Sequence, residues 1–213
     1  MKKSTKGVFI SFEGLDGSGK STQMAFCREY FEKLGREVLI TREPGGTELG
    51  EAVRGLLLDP AYTGMDPRAE LFLYAAGRAQ HVAKVILPAL EAGKVVITDR
   101  FADSTVAFQG FGRQLGTELV DELNRLATYG VMPDLTMIFS LSPASARRRM
   151  EGRGELDRIE REKEDFHQRV FAGYEALAAR EPRRVALLDA EQPIEAIRAQ
   201  VEILLRERVF LDK

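Results

Sequence analysis

Gly14-Leu15-Asp16-Gly17-Ser18-Gly19-Lys20-Ser21 decides how this chain is read, because it fits the pattern G-x-x-x-x-G-K-[ST] and has the right neighbours. Before it, Val8 to Phe12 is a short apolar run suited to a strand buried on both faces. After it, Met24, Cys27, Phe31 and Leu34 recur at helical spacing. A loop between strand and helix can turn successive backbone N–H groups toward one anion, and Gly14, Gly17 and Gly19 permit that path because they lack a Cβ. Lys20 would place an ammonium on the outer phosphates of a triphosphate. The Ser21 hydroxyl would be a ligand for the accompanying magnesium ion. Gly14 to Thr22 is therefore the expected donor-nucleotide segment.

Working outward, 213 residues suffice for one sizeable α/β domain and are short for two. A net charge of −2 provides no global field for nucleic acid or an anionic membrane. The lone cysteine, Cys27, excludes an internal disulfide framework, and its place on the apolar stripe reads as a buried thiol. Met1 to Lys6 is basic, but the apolar run behind it stops at Glu13, too short for a signal peptide or a membrane span. A cytoplasmic protein is expected. His81 and His167 lack metal-ligand spacing and receive no role.

Val8 to Phe12, Val38 to Thr41, Val95 to Thr98, Leu135 to Leu141 and Val185 to Leu188 alternate with longer helical stretches. Five such strands predict a parallel sheet with helices on both faces, whose C-terminal strand ends gather along one ligand-binding edge. Between the second and third strands, Gly45 to Leu58 and Pro67 to Leu90 read as two helices, the second long. No linker divides the chain, so residues 1–213 are expected to form one domain. Residues 147–160 are charged, glycine-broken and poor in apolar side chains, which predicts a short mobile lid between two helices.

A phosphate-binding loop serves switch GTPases, ATPases and small-molecule kinases alike. No N-K-x-D or T-K-x-D segment follows a late strand to read guanine. Two loops at the expected sheet edge instead carry arginines: Thr41-Arg42-Glu43-Pro44-Gly45-Gly46-Thr47 after the second strand, and Asp99-Arg100 after the third. Arg42 and Arg100 could grip an acceptor phosphate while Asp99 orders the water shell of magnesium; surface ion pairing is the plainer use of such arginines.

These loops, with Ser104-Thr105, Phe108-Gln109-Gly110, Pro133-Asp134-Leu135 and Gly152 to Arg158, resemble the bacterial thymidylate kinase family in unbroken order from Gly7 to Gln192. The resemblance implies a P-loop NTPase fold of the nucleoside monophosphate kinase type. It also implies ATP as donor, dTMP as acceptor, magnesium as cofactor and a homodimer. In similar enzymes thymine stacks on an aromatic four residues before an arginine that bonds its carbonyl, which matches Tyr74 and Arg78. On the residues alone, Tyr74 amid Leu71, Phe72 and Leu73 reads rather as core, and the resemblance reverses that reading.

The resemblance further implies that Ser104, Thr105 and Gln109 read the remaining base edge. Asp16 holds the sugar 3′-hydroxyl near the metal, and Glu43 and Arg54 belong to the acceptor site. Phe108, where many relatives carry tyrosine, crowds the sugar C2′. The phosphate loop carries no arginine, so the lid arginines Arg149, Arg153 and Arg158 are the expected catalytic cations beside Lys20. The contact surface of a dimer is expected from Leu71, Ala75, Val82 and Ile86. A kinase of another nucleotide or nucleoside, and a non-catalytic nucleotide-binding regulator, stand as alternatives.

Overall fold

The computed structural model describes residues 7–152 and 154–209. Strands β1 (Val8–Glu13), β2 (Val38–Arg42), β3 (Val95–Asp99), β4 (Leu135–Ser140) and β5 (Val185–Asp189) form one parallel sheet in the order β2-β3-β1-β4-β5. Phe12 of β1 and Arg42 of β2 both align with Asp99 of β3, so three strands end in one row. The segments that follow them leave at a common rim.

The strand pattern explains the two-sided core. Phe9 and Val96 point to one face, where Val82, Ile86 and Phe101 cover them. Their neighbours Ile10, Val95 and Ile97 point to the other, against Phe31, Val106 and the inner faces of the later helices. This period of two, repeated with apolar residues on both faces, requires helices on both sides. Each such side chain removed from water contributes roughly 1.5–3 kcal/mol. Asp134 anchors the opposite end of the sheet, its Oδ2 accepting the Phe9 N–H at 2.8 Å.

The helices are α1 (Lys20–Lys33), α2 (Glu48–Leu58), α3 (Pro67–His81), α4 (Leu87–Glu91), α5 (Ala102–Thr105), α6 (Thr117–Ala127), α7 (Pro143–Met150), α8 (Glu164–Arg180) and α9 (Ile194–Val209). The glycine pair stands ahead of α2, which starts at Glu48 rather than at Gly45. Thr47 caps the helix by accepting the Gly50 N–H, and Gly46 turns the chain at φ 76°. A Cβ on Gly46 would stand 2.6 Å from His81 Nε2, so only glycine fits. The long helix expected from Pro67 is interrupted by a π-helical turn, Val82–Ile86, between α3 and α4. Pro88 has no N–H and its ring crowds the preceding turn, which widens accordingly. A second π-helical segment, Val106–Gly112, extends α5.

Two expectations are corrected. Leu71, Ala75, Val82 and Ile86 lie in the core of this chain, so they supply no surface for a partner. Exposed apolar side chains occur beside them instead: Phe72 on α3, Leu49 and Leu56 on α2, Leu119 and Leu126 on α6. The expected lid also begins later, because Arg147, Arg148 and Arg149 belong to the last turn of α7.

Candidate active site

The phosphate loop takes its shape from its glycines. Gly14, Gly17 and Gly19 have φ of 127°, 79° and 89°, and a Cβ on Gly14 would lie 2.5 Å from the Phe139 carbonyl oxygen. Gly19 is the residue before α1, whose first N–H groups open toward the loop. Leu15 is buried beneath, and Ser21 and Thr22 stand exposed on the first turn. Lys20 is buried, its Nζ donating to the carbonyls of Gly14 (3.1 Å) and Leu15 (3.3 Å). Burial, then Arg100, lowers its pKa, against the pull of Asp16, Asp99 and Glu13. Ser18 Oγ is buried with no hydrogen-bond partner, as a group awaiting an anion would be.

Beside the loop lies a second cavity of about 250 Å³. Asp16, Arg42, Glu43, Arg54, Tyr74, Arg78, Asp99, Arg100, Ser104, Thr105, Phe108 and Gln109 line it, which brings together the whole expected acceptor set. Arg100 bridges the two sites: its Nη2 meets Asp16 Oδ1 at 3.1 Å, and its guanidinium lies 5.1 Å above the Phe108 ring. Burial works against its charge, but Asp16, Tyr174 and Asp99 more than offset that and raise its pKa. Arg42 is held at the rim by Glu51 at 2.9 Å, and Arg54 Nη1 donates to the Pro44 carbonyl at 3.0 Å. Arg78 donates to Glu43 Oε2, Asn124 Oδ1 and the Phe101 carbonyl, which leaves two of its five N–H groups free of these bonds. The other Glu43 oxygen meets His81 Nδ1 at 2.9 Å, and His81 Nε2 meets Thr41 Oγ1 at 2.6 Å. Glu43 and His81 thus orient Arg78.

Arg100 has φ of 69°, a left-handed backbone unusual for a side-chain-bearing residue and costing roughly 1–3 kcal/mol. Glu13 holds it there. Glu13 Oε1 accepts the next N–H, from Phe101, at 2.8 Å, and Oε2 accepts the hydroxyls of Ser104 and Tyr174. Burial, reinforced by Asp103, pushes the Glu13 carboxyl up to about 7. Glu13, Tyr174, His81, Asn124 and Glu70 were not among the expected site residues. A carboxylate inside the apolar run Val8 to Phe12 and its loop was the one available signal for Glu13, since buried charges need partners.

A further cavity, of about 470 Å³, opens between Leu15 and Asp16 of the phosphate loop and the charged segment after α7, and shares Asp16 and Phe108 with the acceptor cavity. Arg149 reaches the phosphate loop from α7, donating to the carbonyls of Gly17 (3.3 Å) and Ala190 (2.9 Å). Arg158 departs from the expected exposed lid cation. It is buried, its Nε on the Leu57 carbonyl and its Nη1 on Glu70 at 2.7 Å, so it fastens the base of the lid to α2 and α3. Arg153 lies outside the described residues, as does Met1 to Lys6.

Among the described residues no three or more His, Cys, Asp or Glu gather as a metal cluster. Ser21 and Asp99 nevertheless line one recess beside Lys20, and Asp99 Oδ1 is buried with no hydrogen-bond partner, 3.9 Å from Nζ. A hydroxyl and a carboxylate suit magnesium, which takes few protein ligands and fills its shell with phosphate oxygens and water.

A phosphate loop facing a second, arginine-lined cavity across a shared Asp16 defines a small-molecule phosphotransferase. The thymidylate kinase family model matches residues 12–201, and the chain belongs to that family. It is 52% identical over 197 residues to the thymidylate kinase of Solidesulfovibrio magneticus, covering 89% of this chain and 94% of the relative. It is 48% identical over 195 residues to that of an Exiguobacterium species, covering 92% of each. The crystal structure of thymidylate kinase from Ehrlichia chaffeensis superposes with a TM-score of 0.76 at 35% identity, covering 94% of this chain and 99% of that one.

Proposed function

We propose that this protein transfers the γ-phosphoryl group of ATP to dTMP, giving ADP and dTDP. The observation that carries this reading is the adjacency of the two anion sites, with Arg100 and Asp16 of one touching the other at 3.1 Å. An oxygen of the dTMP phosphate attacks the γ-phosphorus, and the bond from that phosphorus to the ADP oxygen breaks. The chain's own contribution is alignment and neutralisation of the spreading charge. Lys20 and the loop N–H groups hold the donor phosphates. Arg42, Arg54 and Arg100 hold the acceptor phosphate, Tyr74 stacks on the base, and Arg78 donates to its carbonyl. Arg149 and Arg153 supply lid charge, while Arg158 positions the lid. Ser21 and Asp99 would hold magnesium, which supplies further neutralisation when bound.

The exposed apolar side chains of α2, α3 and α6 support a homodimer, α3 being packed between the other two helices. We assign the protein to the cytoplasm, a reading in keeping with its buried free thiol, Cys27. No helix of the described residues is long and apolar enough to cross a membrane. The test is a panel of dTMP, dUMP, dCMP, dGMP and thymidine with ATP. Preferred turnover of dTMP is expected, and tight ATP binding without transfer to any of them would reject the assignment.

A further inference from the structure

We propose that Glu70 sets the base preference of the acceptor cavity by fixing the sense of the Gln109 side-chain amide, an inference that rests on reading this cavity as the dTMP site. Gln109 is 1% exposed and its Nε2 donates to Glu70 Oε1 at 2.8 Å. Glu70 is 0% exposed and also receives Arg113 Nε (3.0 Å), Arg113 Nη2 (2.9 Å) and Arg158 Nη1 (2.7 Å). Burial alone would raise its pKa, but the bonds and charges of the two guanidiniums and Gln109 outweigh burial and hold the carboxyl below its usual range.

An ionised carboxylate has no proton to give, so the amide beside it must present its NH2 and turn its carbonyl away. Gln109 lines the acceptor cavity with Tyr74, Arg78 and Thr105, and Thr105 Oγ1, one turn earlier, is buried without a partner. A carbonyl oxygen facing this cavity accepts a hydrogen bond. Thymine and uracil offer it the N3–H donor, whereas cytosine offers N3 as a bare acceptor, and two acceptors face to face repel. The arginines around Glu70 thereby select an imide base without touching it. Selectivity of this kind is strong because a mismatched base leaves buried polar atoms unpaired.

The test is Glu70→Gln, whose neutral amide can donate or accept and so releases Gln109 to turn over. The ratio of kcat/KM for dCMP to that for dTMP is expected to rise about tenfold or more, with dTMP turnover falling and dCMP turnover rising. If both fall together with the ratio unchanged, Glu70 merely secures Arg113 and Arg158, and the proposal is overturned. Should Glu70→Gln not fold, Glu70→Asp keeps a carboxylate for the arginines but draws back the oxygen that Gln109 shares with Arg113 Nε, and so loosens the hold on the amide. A raised ratio is expected there too, and an unchanged one is equally fatal. A wild-type enzyme inactive on dTMP would reject the functional reading itself, a distinct result.

Discussion

Lys20 carries a charge into the interior without a close counter-ion: Asp16 and Asp99 stand at 3.8 and 3.9 Å, and its direct bonds are to carbonyls. Burial depresses its pKa, so the fold disfavours the charged form it must use. Lys20→Met is therefore expected to leave Tm unchanged or higher while kcat falls by about 10²–10³-fold. Melting and turnover measured on one sample check both halves. Glu13 is shifted the opposite way for an acid, from 4.5 to about 7, chiefly by burial. Between those values the unfolded chain has lost a proton that the native state keeps, so stability falls as pH rises across that window. Glu13→Gln makes the neutral form permanent and is expected to flatten this part of the pH–Tm curve. An unaltered slope would mean that another group is responsible.

Among the elements, the segment between α7 and α8 combines two unlike parts. In one, Gly152 and Gly154 have φ of 84° and 71°. Its base is fixed by Asp157, which accepts the N–H groups of Ile159 and Glu160, and by the buried Arg158. Arg158→Ala strips one partner from Glu70 and leaves the Leu57 carbonyl unpaired, a loss of about 2–4 kcal/mol. Urea denaturation would measure it, and KM for dTMP is expected to rise in the same variant. The strands and the phosphate loop were legible in the sequence because their signals are local: apolar runs and glycines at fixed spacing. Arg158 was misread as a lid cation because charge-rich composition says nothing of a partner such as Glu70, far back in the chain. The same holds for Glu13 and Tyr174, 161 residues apart, whose meeting only the completed sheet brings about. The acceptor set, by contrast, was expected residue by residue, largely through the family resemblance, and those residues, Tyr74 and Arg78 among them, line one cavity.

For the whole molecule, the apolar surface of α2, α3 and α6 is the face on which the proposed dimer rests. Phe72 is 56% exposed near its middle, and Phe72→Glu is expected to convert a dimer sedimenting at twice the chain mass into a monomer. A wild-type chain that sediments as a monomer would refute the dimer. The order of strands acts on another timescale. β1, made first, lies in the centre between β3 and β4, and Phe9 waits for Asp134, 125 residues later. A chain emerging from the ribosome therefore exposes this apolar segment until β3 has followed it out, and its second partner, β4, comes later still. Neither nucleotide can rescue it, since the walls of both pockets are still inside the exit tunnel or unwritten. Substrate therefore stabilises only the finished chain, not the growing one.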